Sequence, residues 1–386
     1  MSHRRLTTIA PRSGAAEPAF GGLYVHIPFC ARKCPYCAFW SRGDQDLPVR
    51  REWFAALRRE WARRRDTEPG LASWRPATIF FGGGTPTFLE PGELDELCGW
   101  IRATFDLSGL VEWSVEANPG TLTPQKAAIL RHHGVTRLSL GVQSLNPHAL
   151  ATLGRIHGPD EARAAVAIAR DADFPHLGAD WMYGLPGLPE TAARHDLETL
   201  AALPGLDHLS CYALEVEPGT PFAHRRVRTD DRLQRRLYEF ARRALRAAGF
   251  SHYELSNFAR PGAECRHNLL YWSGGAYLGL GPAAASHWHG VRSANSRDLV
   301  RWRRAFSESL PPAQKACETL VFGLRRLPGW TRAEFAAATG GFDWTTLRGP
   351  EIAALVRNRL LVETSSRLRL STRALFVSDS VFRALI

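Results

Sequence analysis

The chain has 386 residues, 45% hydrophobic and 23% charged, with 49 basic against 38 acidic side chains for a formal charge of +11. That is enough for one large folded domain plus a smaller one, and no apolar run reaches the roughly 20 residues needed to span a bilayer, which leaves at most peripheral contact with membrane complexes. The basic excess is nearly all arginine, spread over helical stretches such as Arg58–Arg59 and Arg63–Arg64–Arg65; it marks solvated helix faces, and no dedicated nucleic-acid role is expected.

Residues 1–20 carry Arg4, Arg5 and Arg12 but no apolar segment, and read as a flexible tail instead of a secretory signal. Seven cysteines, an odd number with three clustered, do not suit a disulfide framework and point to the reducing cytoplasm. A first strand is expected over 22–27. It leads into a loop where Cys30, Cys34 and Cys37 are spaced CxxxCxxC. Three thiolates this close can hold three corners of a 4Fe–4S cluster, for which an all-protein site supplies four. The next cysteine, Cys98, lies 61 residues on in an expected helix, so one iron would be left open for a small molecule. A zinc site, which usually closes with four ligands, and a disulfide with a spare thiol are the competing readings.

Beyond the loop, short apolar or β-branched runs at 78–82, 113–117, 137–142, 177–183 and 208–214 alternate with amphipathic stretches near 48–65, 91–104, 124–133, 160–170, 190–202 and 230–249. Thr123–Pro124 and Asp230 look like helix starts, and Gly134 and Gly249 stand where helices should stop. Six strand–helix repeats imply a parallel sheet with right-handed crossovers. Six are too few to close an eight-fold barrel. The expected fold class is therefore α/β, a partial (β/α)6 parallel barrel over 21–250 whose working face is the carboxyl ends of its strands. Gly83, Gly84 and Thr85 follow strand two there, where a glycine turn can bring backbone N–H groups close to a ligand. Glu116 ends strand three, Gln143 ends strand four with Arg155 twelve residues later, and Asp180 lies toward the end of strand five.

Residues 251–300 read as a connecting segment of loops and short strands that contains His267–Asn268–Leu269–Leu270–Tyr271–Trp272. Helical stretches near 313–323, 331–338 and 347–358, then a hairpin-like pair at 361–363 and 368–370, predict a mainly helical, winged-helix-like domain over 301–386.

The cysteine spacing, the Gly83–Gly84–Thr85–Pro86 turn and the polar strand ends resemble the radical S-adenosylmethionine superfamily, in its coproporphyrinogen-oxidase-like branch. The resemblance runs from about residue 21 to the C-terminus. It implies a 4Fe–4S cluster on Cys30, Cys34 and Cys37 with S-adenosylmethionine on the open iron, and electron-driven cleavage to a 5′-deoxyadenosyl radical. It further implies Tyr24 on the cofactor and porphyrin side, His26 setting the strand end, and the glycine turn at the methionine end. Glu116 would take the amine, Arg155 the carboxylate, and Gln143 and Asp180 the ribose hydroxyls or amine.

Two kinds of relative then diverge. Oxidases of this branch typically extend the triad to CxxxCxxCxC, whereas Phe39 stands at the last position here. The string HNLLYW resembles the HNxxYW motif of HemW-type heme chaperones. That implies heme as a ligand, His267 as its iron donor, Tyr271 and Trp272 packing on the macrocycle, and acceptor hemoproteins such as respiratory enzymes as partners. Relatives often carry a His near Ala285; this chain has His287 and His289 just beyond. The expected function is a heme chaperone. A coproporphyrinogen III oxidase of porphyrin biosynthesis and a radical methyltransferase or other tailoring enzyme are the alternatives, and enzymatic turnover stays open.

Overall fold

A computed structural model describes residues 21–43 and 46–386; the expected tail over 1–20 lies outside the described residues. Strands β1 (Gly21–Ile27), β2 (Pro76–Gly83), β3 (Glu112–Ala117), β4 (Arg137–Gln143), β5 (His176–Tyr183) and β6 (His208–Ala213) pair in sequence order, all parallel. Helices α1 (Leu47–Thr67), α2 (Pro91–Thr104), α3 (Pro124–His132), α4 (Pro159–Asp171), α5 (Glu190–Ala202) and α6 (Asp231–Ala247) alternate with them. The expected caps are in place. Asp230 accepts from the N–H groups of Arg232 and Leu233, and Thr123 accepts from that of Lys126 ahead of Pro124. Gly134 and Gly249 take φ of +91° and +86° at their helix ends, a conformation that costs glycine little.

The period-two pattern of the strands decides what the barrel encloses. Leu23, Val25 and Ile27, then Ile79 and Phe81, then Trp113 and Val115 point outward and are fully buried under the helices. The alternate residues point inward, and many are polar or glycine: Glu116, Ser139, Gly141, Gln143, Asp180, Ser210. A closed barrel fills its interior with branched apolar side chains. Here the interior keeps a cavity of about 640 Å³ instead.

The segment after α6 does more than connect. Helix α7 (Arg266–Trp272) is followed by β7 (Ala276–Leu280), which pairs parallel with β1 as a seventh parallel strand. Strands β8 (Ala285–Trp288), β9 (Val291–Asn295) and β10 (Arg304–Ser309) extend the sheet antiparallel from there. At the other edge Asn257–Ala259 pairs antiparallel with β6. Antiparallel strands thus occupy both edges, and the barrel stays open. The sequence reads this region only as loops and short strands, because Gly279 within β7 and Gly281 just after it weaken the strand signal. Gly279 is required by packing: an added Cβ would run into the Ala285 carbonyl.

The C-terminal part has the expected winged-helix-like composition. Helices α8 (Pro312–Leu324), α9 (Arg332–Thr339) and α10 (Trp344–Arg357) precede the hairpin of β11 (Leu361–Glu363) and β12 (Arg367–Leu370), which Trp330–Thr331 joins as a third strand. Trp330, Phe335 and Trp344 pack ring on ring, with centroids 5.6 and 5.7 Å apart, and this core is continuous with that of the barrel. No helix among the described residues is long and apolar enough to cross a membrane.

Candidate functional site

Past Ile27 the chain carries Cys30, Cys34 and Cys37 across the carboxyl ends of the strands as half-buried, free thiols. The glycine turn after β2 anchors this loop. Gly84 N–H donates to the Ile27 carbonyl (2.8 Å), Thr85 N–H to that of Phe29 (2.7 Å), and Thr85 Oγ1 to Cys30 Sγ (3.6 Å). No side chain fits at Gly84, because a Cβ would stand 2.5 Å from the Phe29 oxygen. Gly83 has φ of +109° and lies against the His26 ring. The expectation that this turn aims free N–H groups at a ligand needs correcting. Gly83 N–H is also used, on Glu116 Oε2 (3.3 Å), so the turn offers close approach and not an anion nest. From the far side Arg155 donates to Cys34 Sγ (3.5 Å) and to the Gly141 carbonyl (2.5 Å). Among the described residues no three His, Cys, Asp or Glu side chains are drawn together around one metal ion.

Inside the mouth two carboxyl groups, Glu116 and Asp180, face the same cavity. Burial, reinforced by Asp180, pushes Glu116 up to about 8. Burial likewise raises Asp180 to about 6 against hydrogen bonds from Ser210 and Ser139. Gln143 sits at φ of +70°, a strained conformation for a side chain with a Cβ, and Tyr212 holds its Oε1 by a 2.6 Å hydrogen bond. Arg155 keeps one buried nitrogen, Nε, without a partner. Two carboxyl groups with no cationic side chain paired to them, a guanidinium with a free Nε and a Cβ-free turn fit a molecule that carries an ammonium, a carboxylate and hydroxyls. Free, half-buried thiols on one loop are the donor type that iron–sulfur clusters use.

Ser139, Ser210 and Tyr212 were missed in the sequence. Each lies two residues from another cavity residue on its strand, so the inward alternation was the available signal. Tyr24 lies behind the cavity wall. Its hydroxyl bonds to His26 Nδ1 (3.0 Å), and its ring stacks on Phe80 with centroids 6.2 Å apart. His26 Nε2 in turn bonds to the Trp40 carbonyl (2.9 Å), in keeping with its expected place at the strand end.

The HNLLYW segment lies at the opposite end. Helix α7 closes the amino ends of the strands, where buried Glu112 accepts from the N–H groups of Arg266 and His267 (both 3.0 Å) and from Arg137 Nε (2.9 Å). Cys265 and Asn268 form part of the cavity floor. His267 is 1% exposed. Its Nδ1 is hydrogen-bonded to Thr78 Oγ1 and its Nε2 to the Tyr271 hydroxyl, both at 2.8 Å, and its ring stacks on Phe80 at 5.2 Å. Both ring nitrogens of His267, the expected iron donor, are thus hydrogen-bonded in this conformation. Arg266 is exposed, and Trp272 lies under the Arg325 guanidinium, 4.4 Å from its ring centre.

Residues 24–200 match the Radical SAM superfamily. The chain is 36% identical to the heme chaperone HemW of Mycobacterium tuberculosis over 95% of its own length and 94% of that relative's. It is 35% identical to the Escherichia coli K12 protein of the same name, covering 82% and 86% of the two chains. The chain belongs to the HemW family. Kinship with HemW over nearly the whole length takes in the cysteine loop, α7 and the C-terminal helices together. The Bacillus subtilis HemW, 32% identical, is likewise covered over 98% of its length. Among solved structures, the E. coli coproporphyrinogen III oxidase HemN, described as a radical SAM enzyme, superposes with a TM-score of 0.82 over 96% of this chain and 90% of that one. At 20% identity that likeness shows the fold it shares with this HemW-family chain.

Proposed function

We propose that this chain binds heme and passes it to acceptor hemoproteins such as respiratory enzymes, on a scaffold that also holds a 4Fe–4S cluster and S-adenosylmethionine. The observation that carries this reading is the near-full-length kinship with proteins named heme chaperone HemW. In this reading Cys30, Cys34 and Cys37 hold the cluster. Glu116 takes the ammonium of the cofactor, Arg155 its carboxylate, Gln143 and Asp180 its ribose hydroxyls, and Gly83, Gly84 and Thr85 let its methionine end approach. When bound and reduced, the cluster supplies the electron for cleaving a carbon–sulfur bond of the sulfonium. The protein's own part is to orient and to exclude water. Glu116, whose burial beside Asp180 favours the protonated form, has to be ionised to receive an ammonium, and Tyr212 fixes the amide of Gln143. His267 serves as an iron donor only if the Tyr271 phenol leaves Nε2. The protein would act in the cytoplasm, meeting membrane complexes peripherally.

The second reading is a coproporphyrinogen III oxidase, favoured by the common fold with HemN. Against it stands Phe39, 73% exposed, where oxidases of this type carry a further cysteine. Incubating the reconstituted protein with coproporphyrinogen III, S-adenosylmethionine and a reductant separates the two. The carrier reading expects no loss of carboxyl groups; loss of two per substrate over many turnovers would establish the oxidase.

A further inference from the structure

We propose that Arg32 is a positioning residue for the carboxylate of S-adenosylmethionine and acts by fixing Arg155; the inference rests on reading Arg155 as the partner of that carboxylate. Arg32 stands two residues after Cys30 and two before Cys34, exposed at the rim of the cavity. Its Nη2 donates to two backbone oxygens at once, those of Gly154 (2.7 Å) and Arg155 (2.9 Å). Both carbonyls lie just past the short helix Pro147–Thr152, where the chain supplies no further helical N–H, and an arginine is a fitting donor for such an end. The N–H of Arg155 is already held by the Leu150 carbonyl (2.9 Å). Arg32 therefore fixes the other side of the same residue's backbone.

Further contacts bring the same two segments together. Gly154 has φ of +66°, and an added Cβ would stand 2.7 Å from Pro35 Cδ, so a glycine is what lets the cysteine loop come this close. The Pro35 carbonyl accepts from the N–H of Phe222 (3.0 Å), and the rings of Tyr36 and Phe222 lie 6.3 Å apart, which seats the loop on the chain after β6. The Arg155 side chain has two hydrogen bonds of its own, to Cys34 Sγ and the Gly141 carbonyl, and a buried Nε without a partner. A carboxylate is met best by two N–H groups in one plane, so a small shift of the backbone that carries the guanidinium costs a contact. In this reading the cysteine loop and Arg155 serve one and the same molecule, and their spacing has to be held. Arg32 makes that tie from within the cysteine triad. Lys33 beside it does not, because its ammonium is spent on the Phe39 carbonyl (3.1 Å) inside the loop.

The test compares dissociation constants of the full, cluster-loaded chain for S-adenosylmethionine and for its decarboxylated analogue, measured anaerobically without reductant, with iron and sulfide counted on every sample. Arg32→Ala should weaken S-adenosylmethionine about fivefold, roughly the worth of one ordinary hydrogen bond. The decarboxylated analogue should stay within about twofold of the parent, and iron per chain should not change. Gly154→Ala keeps the Arg32 charge but forces the two segments apart, and should show the same selective loss. On an Arg155→Ala background Arg32→Ala should cost nothing further. Parent-like S-adenosylmethionine affinity in Arg32→Ala would overturn the inference, as would equal losses for the two ligands, which indicate a general disturbance of the site. A further loss in the double variant would also overturn it, since Arg32 would then meet the carboxylate directly. If Arg155→Ala alone weakens both ligands equally, the reading of Arg155 as the carboxylate partner fails, and the inference with it.

Discussion

Gly84→Ala adds one carbon where the barrel mouth has no room for it. The new Cβ would lie 2.5 Å from the Phe29 oxygen and 2.8 Å from both the Ile27 oxygen and the Phe29 nitrogen. All three are backbone atoms and cannot swing aside. The two oxygens are also the acceptors that hold the turn, through the Gly84 and Thr85 N–H bonds of 2.8 and 2.7 Å. Overpacking of this kind costs about 1–3 kcal/mol. Spread over the unfolding entropy of a chain this long, that lowers the melting temperature by only roughly 1–4 °C. The local effect should be larger, because the displaced turn carries Thr85, whose hydroxyl donates to Cys30 Sγ. Iron and sulfide per chain after anaerobic reconstitution should fall clearly below the parent, alongside the drop in melting temperature. Gly92→Ala is the control. It lies in the first turn of α2 with nothing within 4 Å of the added carbon, and should be neutral or stabilise by about 0.4–1 kcal/mol. Parent-like melting and iron loading in Gly84→Ala would refute the claim that this turn sets the cysteine loop.

Alanine at Cys30, Cys34 or Cys37 should each abolish full cluster loading, while Cys98, Cys211, Cys265 and Cys317, all buried elsewhere, should be dispensable; iron counting on the seven variants checks this, and full loading in Cys34→Ala contradicts it. Glu116 makes stability depend on pH. Its folded pKa of about 8 exceeds the ordinary 4.5, so the folded state binds the extra proton, and stability falls as pH rises from about 4.5 to 8 and levels off above. Glu116→Gln should flatten that slope in urea titrations at pH 5, 6.5 and 8; an unchanged slope would show that the carboxyl is not proton-loaded in the folded chain.

Much of this architecture is legible locally. Alternation such as Leu23–Val25–Ile27 against Tyr24–His26 names a strand with one face on helices, and Asp230 or Thr123–Pro124 names a helix start, because these signals act over a few residues. The cysteine spacing and the strand-end carboxylates are of the same kind. What escaped reading depends on distant partners. His267 reads as a motif beyond the last strand–helix unit, yet its position is fixed by Thr78, 189 residues away, and by Glu112, 155 residues away. Nothing near His267 says that the chain returns to close the barrel floor. The use of the turn N–H groups on Ile27, Phe29 and Glu116 is likewise a tertiary choice, and β7 is a strand because β1 offers it an edge.

The central claim is that this chain is a heme carrier built on a radical S-adenosylmethionine scaffold. Titrating the cluster-loaded protein with hemin and following the Soret band tests it most directly. The account predicts saturable binding near one heme per chain with the spectrum of an imidazole-ligated iron; a linear, unsaturable rise with the spectrum of free hemin would contradict it.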